Sequence, residues 1–86
     1  MAKILIVEDE IAINDLLRLN LEIIGHKCTS VYTGKDAIRV AREQGFDLML
    51  LDVMLPDVEG FAVLEKVRDV PTIFLTARGA TTDKIQ

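Results

Sequence analysis

The 86-residue chain has one cysteine, no tryptophan, one tyrosine, three phenylalanines and two prolines. A single thiol, Cys28, excludes an internal disulfide and suits a reducing compartment. No apolar run approaches the ~20 residues needed to span a bilayer. The N-terminus leads directly into a strand-like segment, so the expectation is a chain without a signal peptide, located in the cytoplasm and away from membranes. Positive charge is also short: ten Lys and Arg face fourteen Asp and Glu, for a formal net charge of −4. The basic residues are scattered rather than clustered, and this stretch is expected to bind no nucleic acid. Linkers, repeats and low-complexity segments are missing, which leaves one domain over residues 1–86.

What the chain has in quantity is apolar residues, 50% of the total, with a mean hydropathy of +0.30. That much apolar surface excludes intrinsic disorder and suits a parallel sheet covered by helices on both faces. Strand-like and helix-like stretches alternate throughout, the signature of an α/β fold. Lys3–Val7 (KILIV) reads as the first strand. Ile13, Leu16, Leu17, Asn20, Leu21 and Ile24 recur at helical spacing, with Asp9 or Glu10 placed to cap the helix and Gly25 to stop it. Lys27–Tyr32 is a second, more polar strand, expected at an edge. Thr33-Gly34-Lys35-Asp36 has the form of a capping box before a helix through Ala37, Ile38, Val40 and Ala41 that ends near Gly45.

Asp47–Leu51 (DLMLL) is a continuous apolar strand, expected at the centre of the sheet. A loop from Asp52 to Val58 follows. The third helix is expected from about Val58 to Arg68, with Phe61, Leu64 and Val67 inward. Pro71–Leu75 (PTIFL) is the fourth strand. Thr76–Ala80 is a loop, and Thr81 opens a further helix. Phe46, Phe61 and Phe74 are expected in the core. Cys28 reads as a packing residue, and His26, after the helix-stopping Gly25, as a solvated turn residue without a catalytic role.

In an open parallel α/β sheet, ligands bind beyond the carboxyl ends of the strands. Glu8 and Asp9 follow strand one there, and Asp52 follows strand three. Taken singly, each reads as a helix cap or loop acid. If strands one and three are neighbours, the three converge, and a hard divalent cation is what relieves such repulsion. An aspartate in that setting can act as a nucleophile on phosphorus, with hydroxyls such as that of Thr76 holding phosphoryl oxygens.

Three stretches, ILIVEDE at Ile4–Glu10, DLMLLDVMLPDVEG at Asp47–Gly60 and PTIFLTA at Pro71–Ala77, resemble the signatures of response-regulator receiver domains. The resemblance covers the whole chain. It implies a flavodoxin-like, doubly wound parallel sheet of strand order 2-1-3-4-5, here without its fifth strand. It implies Asp52 as phosphoacceptor, Mg²⁺ held directly by Asp9 and Asp52 and by the Met54 backbone carbonyl, and Glu8 acting through water. Thr76 is implied as the phosphoryl contact and switch, and Ala77 as the small residue that leaves room for the phosphoryl group. Pro56 and Gly60 shape the loop. The implied donor is a sensor histidine kinase, and the module is a phosphoacceptor rather than an enzyme. By the same resemblance the 86 residues amount to about two thirds of a full receiver domain, without its later lysine, and phosphorylation of this stretch alone is expected to be impaired. The exposed fourth-strand edge is expected to drive self-association.

Two other classes fit less well. An aspartyl-nucleophile phosphatase wants a second aspartate two residues after the first, where this chain has Met54. A flavin-binding protein of related fold wants a phosphate-cradling loop after strand one, where this chain has Glu8-Asp9-Glu10. An inactive fragment of the receiver fold is the remaining alternative.

Overall fold

The computed structural model describes residues 1–75; the expectations for Thr76, Ala77 and the helix from Thr81 lie outside the described residues. The elements run β1 (Lys3–Val7), α1 (Ile11–Ile23), β2 (Lys27–Val31), α2 (Gly34–Glu43), β3 (Leu48–Asp52), α3 (Gly60–Lys66) and β4 (Thr72–Leu75). The four strands form one parallel sheet in the order β2-β1-β3-β4. The polar strand β2 is at an edge and the apolar β3 is interior, as hydropathy dictates for a sheet buried on both faces.

Side-chain alternation along each strand splits the core in two. Leu5, Val7, Met49 and Leu51 project to the face covered by α2 and α3, where Ala37, Val40, Phe46, Val63, Val67 and Val70 close the larger cluster. Ile4, Ile6 and Leu50 project to the opposite face, against Leu17 and Leu21 of α1. Cys28 packs at the margin of this second cluster, and burial raises its thiol pKa, as does the nearby Glu22.

The helix ends follow local chemistry. Thr33 caps α2 by accepting the Asp36 N–H at 3.2 Å. Gly25, at φ +100°, ends α1 with its N–H on the Glu22 carbonyl at 3.0 Å. Only glycine adopts that conformation without steric cost.

Three expectations are corrected. Within α1, Leu16 (59% exposed) and Ile24 (69%) face outward, and the inward stripe is Asn14, Leu17 and Leu21. Helix α3 is shorter than expected, and Phe61 is 58% exposed while Val63 and Val67 are buried. The helix begins at Gly60 and buries Val63, and Phe61 instead packs at a tilt on Phe74, with ring centroids 4.8 Å apart and planes at 46°. His26 is half-buried and bound to the chain start, its Nδ1 accepting the Ala2 N–H at 3.0 Å.

Candidate metal and phosphoryl site

The register of β1 and β3 builds the site. Val7 pairs with Leu51, so the next residue on each strand, Glu8 and Asp52, emerges at the same carboxyl edge of the sheet. Asp52 is the last residue of β3 and pairs with Leu75, the last residue of β4, so both strands end at this edge of the sheet. Glu8, Asp9 and Asp52 each bring a carboxylate oxygen within 4.8 Å of the other two. Glu8 is 0% and Asp52 3% exposed, and Asp9 is half-buried.

This grouping is electrostatically expensive by itself. At 4.8 Å and an effective dielectric near 20, each like-charged pair costs roughly 3–4 kcal/mol. Burial of two of the three adds desolvation. The donor set consists of hard anionic oxygens, which suits Mg²⁺ and not a soft transition metal. The residues present therefore fit the cation that the fold family implies.

Backbone donors fix the carboxylates. The Met54 N–H donates to Asp52 Oδ1 at 3.0 Å, and the Glu10 N–H to Glu8 Oε2 at 3.0 Å. Glu10 occupies the cap position of α1 with extended backbone, φ −80° and ψ 113°. Met54 lies in a tight loop closed by a bridge to Glu59, with its side chain 68% exposed, so its backbone is what reaches the site. Gly60 begins α3 directly against β3. A Cβ there would lie 2.6 Å from the Asp52 carbonyl oxygen and 2.9 Å from Val53 Cα. No larger residue allows the loop to fold back so closely onto the strand that carries Asp52.

Two residues that sequence reasoning passed over hold this architecture. Asn14 is fully buried and donates from Nδ2 to the Glu8 carbonyl at 3.0 Å and the Val31 carbonyl at 3.1 Å. Its signal was present: a polar residue three and seven positions before Leu17 and Leu21, inside an apolar stripe. Asp57 accepts backbone N–H groups of α2 from the loop after Asp52, a contact between segments that no local pattern announces.

A family model described as the response regulator receiver domain matches residues 4–86. The chain belongs to that family. Among curated proteins, this receiver is 40% identical over 99% of its length to the transcriptional regulatory protein AfsQ1 of Streptomyces coelicolor. It is 44% identical over 95% of its length to the uncharacterized transcriptional regulatory protein YkoG of Bacillus subtilis. The receiver spans under two-fifths of the length of these relatives, 39% and 38%. Among solved structures, the receiver domain of the sensor histidine kinase PA1611 of Pseudomonas aeruginosa, with a magnesium ion coordinated in its active-site cleft, superposes with a TM-score of 0.85. That match has 32% identity and covers 95% of this chain and 72% of the other. The N-terminal domain of a response regulator receiver protein from Methanoculleus marisnigri gives a TM-score of 0.85 at 30% identity, with coverage of 95% and 72%. The receiver is thus a signalling module of two-component systems with the flavodoxin-like parallel sheet, and its described helices include none long and apolar enough to cross a membrane.

Proposed function

We propose that this receiver accepts a phosphoryl group on Asp52 from a phosphohistidine of a sensor histidine kinase. The observation that carries the reading is the convergence of the Glu8, Asp9 and Asp52 carboxylates within 4.8 Å at the carboxyl edge of the sheet. A carboxylate oxygen of Asp52 attacks phosphorus, the phosphorus–nitrogen bond breaks, and the imidazole leaves with the electron pair and takes up a proton. The Met54 N–H holds Asp52 Oδ1 and so fixes the rotation of the nucleophile. Asp9, Asp52 and the Met54 backbone carbonyl would hold Mg²⁺, with Glu8 acting through water. When bound, the ion offsets the charge of the phosphoryl oxygens and aligns them. Thr76 and Ala77, which follow β4, are assigned the phosphoryl contact and the space beside it on the strength of the PTIFLTA motif.

The receiver stores the phosphoryl group rather than turning over a substrate, so it is a switch and not an enzyme. The kinase must seat beside Asp52, and Ile11 at the start of α1, 64% exposed, offers an apolar contact near that edge. Relatives named as transcriptional regulators support a parent protein that regulates transcription, for which a cytoplasmic location is proposed. The receiver itself, with a net charge of −4, leaves DNA contact to other parts of that protein. Strand β4 pairs with β3 alone among the described residues, and its Ile73 is 54% exposed, which supports self-association of the 86-residue chain through this edge.

The test is acetyl phosphate treatment with Mg²⁺ followed by peptide mass spectrometry. A Mg²⁺-dependent phosphoryl adduct on the Asp52 peptide is expected in the full-length protein, weaker in the 86-residue chain and lost in Asp52→Asn. Labelling that persists in Asp52→Asn, or that ignores Mg²⁺, overturns the assignment.

A further inference from the structure

We infer that Asn14 is a positioning residue for the metal site, holding the Glu8-Asp9-Glu10 turn in the geometry that binds the divalent cation. The inference rests on the reading of the three carboxylates as that site. Asn14 lies in the first turn of α1, on the side facing the sheet, and is 0% exposed. Its Nδ2 carries two protons, and both are used on carbonyls, those of Glu8 at 3.0 Å and Val31 at 3.1 Å. The Val31 carbonyl also accepts the Glu8 N–H at 3.2 Å. Both backbone polar groups of Glu8 are therefore tied: the N–H to the end of β2, the carbonyl to α1.

The other side of the turn is tied as well. The Glu10 carbonyl accepts the Asn14 N–H at 2.9 Å, and the Glu10 N–H donates to Glu8 Oε2 at 3.0 Å. Asp9 stands between two residues whose backbones are bound to the same asparagine. Metal affinity depends on how well its ligands are held before the ion arrives, because ordering them otherwise comes out of the binding energy. A buried amide is an economical brace for an acidic turn: it adds two donors and no charge. A lysine or arginine in its place would bring a cation that competes with Mg²⁺, and an aspartate would turn acceptors toward two carbonyls.

Asn14→Leu keeps the heavy-atom count and branching of the side chain and removes both donors. Ile4→Val is the control, a core truncation at the opposite end of β1. Mg²⁺ affinity is measured by calorimetry on the 86-residue chain, well below the melting point of each variant. Asn14→Leu is expected to weaken Mg²⁺ binding about tenfold, the low end for groups that support metal ligands, while Ile4→Val leaves it unchanged. The wild-type chain supplies a second readout that needs no variant. On saturation with Mg²⁺, the Asn14 side-chain NH₂ resonances should shift, and those of exposed Asn20, whose Nδ2 donates to the Leu16 carbonyl, should not. Equal affinity in Asn14→Leu and wild type, a loss no greater than that of Ile4→Val, or an unmoved Asn14 NH₂ pair overturns the inference. A wild-type chain that binds no Mg²⁺ overturns the reading of the site and the inference with it. Binding lost in Asp9→Asn yet kept in Asn14→Leu overturns the inference alone.

Discussion

Asp57 closes the N-terminus of α2 from outside the helix: its Oδ1 accepts the Gly34 N–H at 2.8 Å, and its Oδ2 accepts the N–H of the adjacent Lys35 at 2.9 Å. The loop that follows Asp52 is thereby fastened to a helix that precedes it in the chain. Slight desolvation of the exposed Asp57 carboxylate acts to raise its pKa, but the Gly34 and Lys35 donors, with its own N–H and that of Val58, outweigh it and hold the carboxylate below its usual value.

Replacing Asp57 with alanine should therefore destabilise the chain by about 1 kcal/mol at neutral pH, the usual worth of a capping carboxylate. The sign of the pH dependence follows from the lowered pKa. The contribution is complete above the unfolded value near ~3.9 and is lost as pH falls through the folded value. Urea unfolding of wild type and Asp57→Ala should show a constant gap near pH 7 that closes below about pH 4. A gap that widens in acid would refute the capping account.

Asp52→Asn removes one charge from the acidic cluster. Without Mg²⁺ it should be more stable than wild type by about 1–3 kcal/mol, because the relief of repulsion from Glu8 and Asp9 is partly offset by the weaker acceptor left for the Met54 N–H. Added Mg²⁺ should shrink the difference, because the ion neutralises the wild-type cluster and binds the variant less well. Unfolding midpoints with and without Mg²⁺ measure both. A variant less stable than wild type in metal-free buffer would show that the cluster is already balanced by the protein.

Gly60→Ala tests the close approach of α3 to β3. The added methyl meets the Asp52 carbonyl oxygen at 2.6 Å and Val53 Cα at 2.9 Å, both backbone and unable to turn aside. A loss of roughly 2 kcal/mol or more is expected. Because the displaced backbone carries Asp52, Mg²⁺ affinity should fall in the same variant. Calorimetry on the folded fraction separates the two effects.

Among the described residues β4 pairs with β3 alone, and that edge makes a prediction about assembly. Sedimentation of the 86-residue chain across a concentration series should show self-association, reduced in Ile73→Lys, which places a charge on the exposed strand. A monodisperse monomer at every concentration would rule this edge out as an interface.

The sheet was legible in the sequence because its strands are short, apolar and bounded by turn residues, and because polarity separates β2 from β3. The acidic cluster was legible because its members sit where strands end. The inward face of α1 was legible only in part. Leu17 and Leu21 pack inward as expected, but Leu16 and Ile24 are exposed and a polar residue, Asn14, is buried, so hydropathy alone marks only part of that face. Phe61 misled for a similar reason: an aromatic at helical spacing reads as core, yet the small Gly60 and Val63 take the buried positions of α3 and Phe61 is exposed. The Asp57 cap joins segments remote in sequence and has no local signature. The assignments of Thr76 and Ala77 rest on motif alone.

The crevice has one more property, which comes from the pairing of β1 with β3. Glu8 and Asp9 belong to one end of the chain and Asp52 to the other side of two intervening helices and a strand, so an unfolded chain holds no such site. An ion that binds only the folded form acts as a ligand of folding itself. At tenfold above its dissociation constant it adds about 1.4 kcal/mol, and every further decade adds as much again. On the proposed reading of the site, the melting temperature of this receiver should therefore report the free Mg²⁺ concentration around it, and whatever draws the ion away should loosen the sheet.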